Sequence, residues 1–245
     1  MENKGILLCG HGSRSAETLQ EFKFFANTLK ARLPESEITF GFLELAKPDF
    51  SEAVNTLYNN GVRSIIAVQL FLFDGKHVDT DIPSQLKEIQ SSYTDIDITI
   101  LPAIGRNPLF LEMLTQSILP YFEKGKSYSV LTVGVGSSNE NANIQIQTVS
   151  NILGETLKND DINVSFISKL AKPSYEESIA KLALNSENEI IVLPLILFNG
   201  IYYNTIKSIS ESIKNQNNKS ITILPCLALN KHFIDFIVNN INNTQ

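Results

Sequence analysis

Cysteine is scarce in this chain of 245 residues: there are two, Cys9 and Cys226. Both fall in strand-like segments and form no close-spaced pair. That argues against a disulfide scaffold or a zinc knuckle and makes a reducing compartment the default. An excess of positive charge is also missing. Twenty Lys and Arg against 26 Asp and Glu leave a formal charge of −6. Nucleic acid is thereby excluded as the main partner, because phosphate binding needs a basic face. No apolar run approaches membrane-spanning length, and Met1-Glu2-Asn3-Lys4 leads toward a strand without a signal-peptide pattern. The expectation is a cytoplasmic protein with no membrane partner. Histidine is the third scarcity, with three in the whole chain.

What is present is ordinary in amount but repeated in order. Apolar residues make up 43% and charged residues 19%, as in soluble globular proteins, and the length suffices for two domains. Gly10-His11-Gly12-Ser13 recurs as Gly134-Val135-Gly136-Ser137, and Leu45-Ala46-Lys47-Pro48 as Leu170-Ala171-Lys172-Pro173. Leu72-Phe73-Asp74-Gly75-Lys76-His77 returns as Leu197-Phe198-Asn199-Gly200-Ile201-Tyr202, and Ile98-Thr99-Ile100-Leu101-Pro102 as Ile221-Thr222-Ile223-Leu224-Pro225. The chain is a duplication, divided at the polar joint Glu123 to Ser127 into domains 1–124 and 125–245. Within the retained frame His11 faces Val135, His77 faces Tyr202 and Glu44 faces Lys169. Residues that change while their frame persists are poor candidates for holding it together. The asymmetry points to a chemical site in the first half.

Short apolar runs alternate with longer amphipathic ones, the signature of βα units and a parallel sheet. The first half predicts strands at Gly5–Cys9, Glu37–Leu45, Ser64–Phe71 and Asp97–Leu101. Its helices are predicted at Ala16–Arg32, Phe50–Asn59, Ile82–Ser92 and Leu109–Phe122. The second half predicts strands at Ser129–Val133, Asn163–Ile167, Glu189–Leu195 and Ser220–Leu224, with helices at Asn141–Leu157, Tyr175–Ala183, Thr205–Lys214 and Lys231–Asn240. Asn215–Lys219 reads as a surface loop and Asn239–Gln245 as a fraying tail. The fold class is α/β: two similar domains, each a four-stranded parallel sheet flanked by helices, with a cleft between them.

In such sheets ligands bind beyond the carboxyl ends of the strands. His11 follows strand one, Glu44 ends strand two, His77 follows strand three and Arg106 follows strand four. Two imidazoles and a carboxylate suit a borderline divalent ion such as iron(II), cobalt or nickel, and imidazoles also accept protons near neutral pH. Each residue also has a bland role. Gly10-His11-Gly12 is compatible with a simple tight turn. Ser13 or Ser15 reads as a helix N-cap rather than a nucleophile. Asp79 and Asp81, just before Ile82-Pro83, read as helix-capping charges. Lys47 and Lys172, shared by both halves, read as structural, whereas Lys76 and Arg106 are lost from the second half and are suited to steering carboxylates. His232 reads as a surface residue.

At these residues the chain resembles the class II chelatases of tetrapyrrole biosynthesis, in their two-domain form. The resemblance is carried by Leu7-Leu8-Cys9-Gly10-His11-Gly12-Ser13-Arg14, by Gly41-Phe42-Leu43-Glu44-Leu45-Ala46-Lys47-Pro48, and by Leu70 through Val78 continuing to Asp79-Thr80-Asp81-Ile82-Pro83. It implies a metal chelatase in which His11 and His77 are catalytic and metal-contacting, with Glu44 beside them. The implied reaction is insertion of a divalent metal, iron(II) first and cobalt second, into sirohydrochlorin. The metal is a substrate, and no permanently bound cofactor is implied. Ser13, Arg14, Lys76, Arg106 and Tyr202 are the substrate-binding candidates; Tyr202 and Tyr203 could equally pack against the macrocycle or be buried in the second core. The internal duplication favours a monomer.

Two rivals stand beside this expectation. Phosphoryl transfer through a phosphohistidine also uses a His-Gly after a first strand, but it wants an arginine just before the histidine, and here Cys9-Gly10 stands there. A non-catalytic carrier of tetrapyrrole or metal would use the same histidines as ligands.

Overall fold

The structure, a computed structural model, describes residues 4–244. The first repeat forms β1 (Lys4–Gly10), α1 (Ala16–Arg32), β2 (Glu37–Phe42), α2 (Phe50–Asn59), β3 (Ser64–Gln69), α3 (Ile82–Ser91), β4 (Asp97–Ile100) and α4 (Phe110–Ile118). The second forms β5 (Tyr128–Gly134), α5 (Glu140–Leu157), β6 (Ile162–Phe166), α6 (Tyr175–Asn185), β7 (Glu189–Pro194), α7 (Ile201–Asn217), β8 (Ile221–Ile223) and α8 (Lys231–Asn242). Each repeat makes its own four-stranded sheet, in the orders β2-β1-β3-β4 and β6-β5-β7-β8. All pairings are parallel.

In the first sheet, alternate residues serve opposite layers, as strand pleating requires. Leu7, Cys9, Ile65 and Ala67 join α2 and α3 in one core through Phe50, Val54, Leu57, Ile82 and Leu86. Cys226 sits in the matching core of the second sheet, and both cysteines are buried thiols. The chain leaves β1 toward β2 on one side and returns to β3 on the other. The loops after β1 and β3 therefore diverge at the strand-order reversal, where open parallel sheets hold their ligands.

The helix starts have local causes. Ser15 caps α1 by accepting from the Thr18 amide at 3.4 Å. Asp49 and Glu52 form a reciprocal capping box at α2, with distances of 2.9 and 2.8 Å. The shared lysines belong to these starts: Lys47 Nζ reaches Asp49 at 2.5 Å, and Lys172 reaches Glu177 at 3.3 Å in α6.

Several expected boundaries shift. Strand β2 stops at Phe42, because Leu45 takes a left-handed backbone with φ 63°. Helix α7 begins at Ile201 and absorbs residues 215–217 that composition assigned to a loop. The apolar residues Phe236, Ile237 and Ile241 hold α8 together to Asn242, so 239–242 is helix rather than tail; Gln245 lies outside the described residues. Pro120 breaks the last helix of the first repeat after Ile118.

By contacts the chain divides into two compact units, which change over at Asn107/Pro108 and again at Phe233/Ile234. One unit holds the first sheet with α1–α3 and takes α8 from Ile234 onward; Arg32 Nη2 meets Asp235 at 2.7 Å, and Asn107 donates to Asn240 at 3.1 Å. The other unit, Pro108–Phe233, holds the second sheet with α4–α7.

Candidate functional site

Backbone hydrogen bonds extend the first sheet past its strands. Leu43 N–H donates to Gly10 O at 2.8 Å and Glu44 N–H to His11 O at 3.0 Å, zipping the loop after β2 to the loop after β1. Gly12 makes this approach possible: its φ is 96°, and a Cβ there would lie 1.8 Å from Glu44 O. The chain thus holds His11 beside Glu44, whose Oε1 is 3.4 Å from His11 Nε2.

The loop after β3 brings His77 to the same place. The His11 and His77 ring centroids are 5.0 Å apart and their planes stand edge to face at 83°. Phe71 lies 6.3 Å from each ring and forms an apolar floor. Both imidazoles are 41% exposed, so ligands can reach them. An open pocket of about 300 Å³ at His77 is lined by Leu43, Glu44, His77, Asp81, Ser84 and Gln85. Among the described residues, no three His, Cys, Asp or Glu side chains stand as a ready-made metal cage. Metal–imidazole bonds of roughly 2.0–2.1 Å are nonetheless compatible with two rings at this separation sharing one ion. Cys9 contributes no thiolate, since it is fully buried and burial pushes its thiol far up from 9.0.

His77 stands on an unusual turn. The Ile82 N–H reaches back five residues to His77 O, a single π turn before α3. Asp81, expected to cap the helix, makes no cap. It accepts instead from His77 Nδ1 at 2.8 Å, with Lys76 Nζ 3.9 Å from its other oxygen. Asp79 does not cap either: it accepts from Gly75 N–H at 3.2 Å and pairs with Arg106 Nη2 at 2.7 Å. Arg106 Nε meets Asp74 at 2.6 Å. The two carboxylates raise the Arg106 pKa, chiefly through the Asp74 hydrogen bond. The guanidinium, a candidate for substrate carboxylates, is thus engaged within its own loops. Ser13 Oγ accepts from the Ser15 amide at 3.0 Å, while Arg14 and Lys76 are exposed residues.

The second unit keeps the frame and changes the donors. Ser168 N–H donates to Val135 O at 2.9 Å, the bond that Glu44 makes to His11. Ser168, not Lys169, therefore occupies Glu44's backbone position; the second repeat has one extra residue before Pro173. Asn199, Asn204 and Leu229 replace Asp74, Asp79 and Arg106. Tyr202 is 43% exposed, whereas Tyr203 is buried and donates to Leu224 O at 3.1 Å. His232 is half-buried. Sequence reasoning missed Asp81, Asp74 and Asp79 as neighbours of the site. The i,i+4 spacing of His77 and Asp81 was the available signal.

Fold and site together define a duplicated α/β protein of chelatase type, with its histidine-bearing rim in one repeat. The family model CbiX matches twice, over residues 5–120 and 129–244. The chain belongs to the CbiX family. It is 23% identical over 241 residues to the sirohydrochlorin ferrochelatase of Bacillus subtilis, covering 98% of this chain and 92% of that one. Over 114 residues it is 35% identical to the sirohydrochlorin cobaltochelatase of Sulfurisphaera tokodaii, 46% of this chain and 90% of that one. Among solved structures, SirB from Bacillus subtilis with Fe3+ superposes with a TM-score of 0.84 at 23% identity, covering 99% and 95% of the two chains.

Proposed function

We propose that this chain is a sirohydrochlorin chelatase that inserts iron(II) into sirohydrochlorin. The carrying observation is the pair of accessible imidazoles 5.0 Å apart on one rim, in a chain that aligns almost end to end with a ferrochelatase of its family. In the reaction two inner N–H protons leave the macrocycle while the ion exchanges its first shell for four ring nitrogens. His11 and His77 contact the incoming ion through one ring nitrogen each, and those nitrogens, freed as the ion passes to the macrocycle, accept the departing protons, while Glu44 assists by charge or ligation. Ring carboxylates meet Arg14 and Lys76, with Ser13 as a donor, while Arg106 acts through the loops it holds. Tyr202 offers the macrocycle an aromatic face. The protein works as a cytoplasmic monomer and keeps no resident cofactor.

Cobalt is the second choice of metal, supported by relatives that are sirohydrochlorin cobaltochelatases. The ligand types do not separate these ions, because intrinsic affinity rises from iron to cobalt at any such site. The test is anaerobic absorption spectroscopy of sirohydrochlorin with iron(II) or cobalt(II) at substoichiometric protein. Repeated turnover is expected. A single stoichiometric spectral change would mark a carrier and overturn the proposal.

A further inference from the structure

One residue separates the two repeats at the turn that carries His77. In the first unit the buried anchors of this turn, Val78 and Ile82, are four positions apart; in the second, Tyr203 and Ile206 are three apart. The second repeat passes from Gly200 straight into regular helix, with Thr205 before the anchor, and Thr205 Oγ1 donates to Ile201 O at 2.7 Å. The first repeat spends its extra residue on the π turn, and Asp81 stands before the anchor. Such turns interrupt helical regularity and are frequent at functional sites. Here the product is visible: the Asp81 carboxylate, only 24% exposed, lies 2.8 Å from His77 Nδ1.

A second group braces the same turn. Asp74 before His77 and Asp79 after it both bind Arg106, which arrives from the loop after β4. That loop is zipped to the β3 loop by Ile104 N–H to Phe71 O at 3.0 Å and Gly105 N–H to Leu72 O at 2.7 Å. The second unit keeps both backbone bonds, as Leu227 to Ile196 and Ala228 to Leu197. It has lost all three charges, together with the histidine. The brace therefore travels with His77 and not with the fold.

We infer that Asp81 is a positioning residue for His77, and that the Arg106–Asp74–Asp79 group holds the turn on which both stand. An imidazole that donates Nδ1–H to a carboxylate has its lone pair on Nε2, and its ring cannot swing. Asp81 thus fixes which nitrogen of His77 meets the ion, and where. This inference deepens the chelatase reading and rests on it for the identity of the reaction. Among the described residues His11 has no matching carboxylate on Nδ1, whose neighbour is the Gly12 carbonyl at 3.3 Å. The two histidines are held by different means.

The experiment compares Asp81→Ala and Asp81→Asn with the wild type. Cobalt(II) binding is followed by its visible absorption without tetrapyrrole; kcat and KM for each substrate are then measured anaerobically. Asp81→Ala should weaken cobalt binding and lower kcat by about 10- to 100-fold, with KM for sirohydrochlorin unchanged. Asp81→Asn, which keeps an oxygen acceptor, should recover most of the loss. Wild-type cobalt affinity and kcat in Asp81→Ala would overturn the inference. So would a parallel fall of melting temperature and affinity in both variants, which would make Asp81 merely structural. Cobalt binding is scored without substrate, so a wild type that binds the ion but never turns over would sink the chelatase reading and leave this inference separately judged.

Discussion

At the scale of single residues, exposure and backbone geometry separate chemistry from architecture. His77 is 41% exposed and its side chain anchors no core cluster. His77→Ala should therefore lower chelation by about a hundredfold or more while the melting temperature stays near the wild-type value; near-normal turnover would refute its assigned role. Gly12 is the opposite case. Its φ is 96°, and an alanine methyl carbon would fall 1.8 Å from Glu44 O. Gly12→Ala should cost about 1–3 kcal/mol from the backbone alone. Unlike His77→Ala, it should lose activity and thermal stability together. Arg106→Leu, which copies the second repeat, removes two ion pairs whose partners are partly exposed. Each is worth about 0.2–1 kcal/mol after solvent screening. Amide exchange at Gly75–Asp79 should accelerate while the rest of the first sheet stays protected. Residue type and the comparison of repeats made His11 and His77 legible in the sequence. They did not reveal Asp81, because ordinary helix-start rules gave it a capping role that the π turn cancels.

At the scale of elements, helix starts follow from local chemistry, whereas strand ends do not. The Asp49 carboxyl is held below its ordinary value of 3.8, first by the Lys47 hydrogen bond and then by backbone amides of α2. A depressed folded pKa means that its contribution is complete above the unfolded value and is lost as pH falls through the lower folded one. Asp49→Ala should cost about 1 kcal/mol at neutral pH. In urea melts the gap between variant and wild type should close between about pH 5 and about pH 2; a gap independent of pH would refute the charge argument. The end of β2 escaped sequence reasoning for a different reason. Leu45 at φ 63° is not signalled by its residue type, since leucine rarely adopts that backbone.

At the scale of the whole molecule, the duplication is plain in the sequence, and the unit built on the first repeat also includes the chain from Ile234 onward. The segment from Ile234 onward belongs to the unit that holds the first sheet, and it carries Phe236, Ile237, Val238 and Ile241, all buried. Burying such side chains stabilises by about 1.5–3 kcal/mol each, against a total stability of about 5–15 kcal/mol. A chain ending at residue 233 should therefore lose hydrogen-exchange protection in β1–β4 before β5–β8. A loss confined to β5–β8 would support the simpler division after residue 124.

The sequence by itself determined the class of fold and the repeat, and it singled out the two histidines that lie together on one rim. Hydrophobic periodicity and a comparison of duplicated frames are local properties that need no coordinates. Tertiary structure alone decided that Ser168 fills Glu44's place, that Arg106 is occupied, and that Asp81 turns onto His77. Each depends on a one-residue shift in register or on contacts between distant loops. A linear pattern does not record where such residues meet once the sheet has assembled.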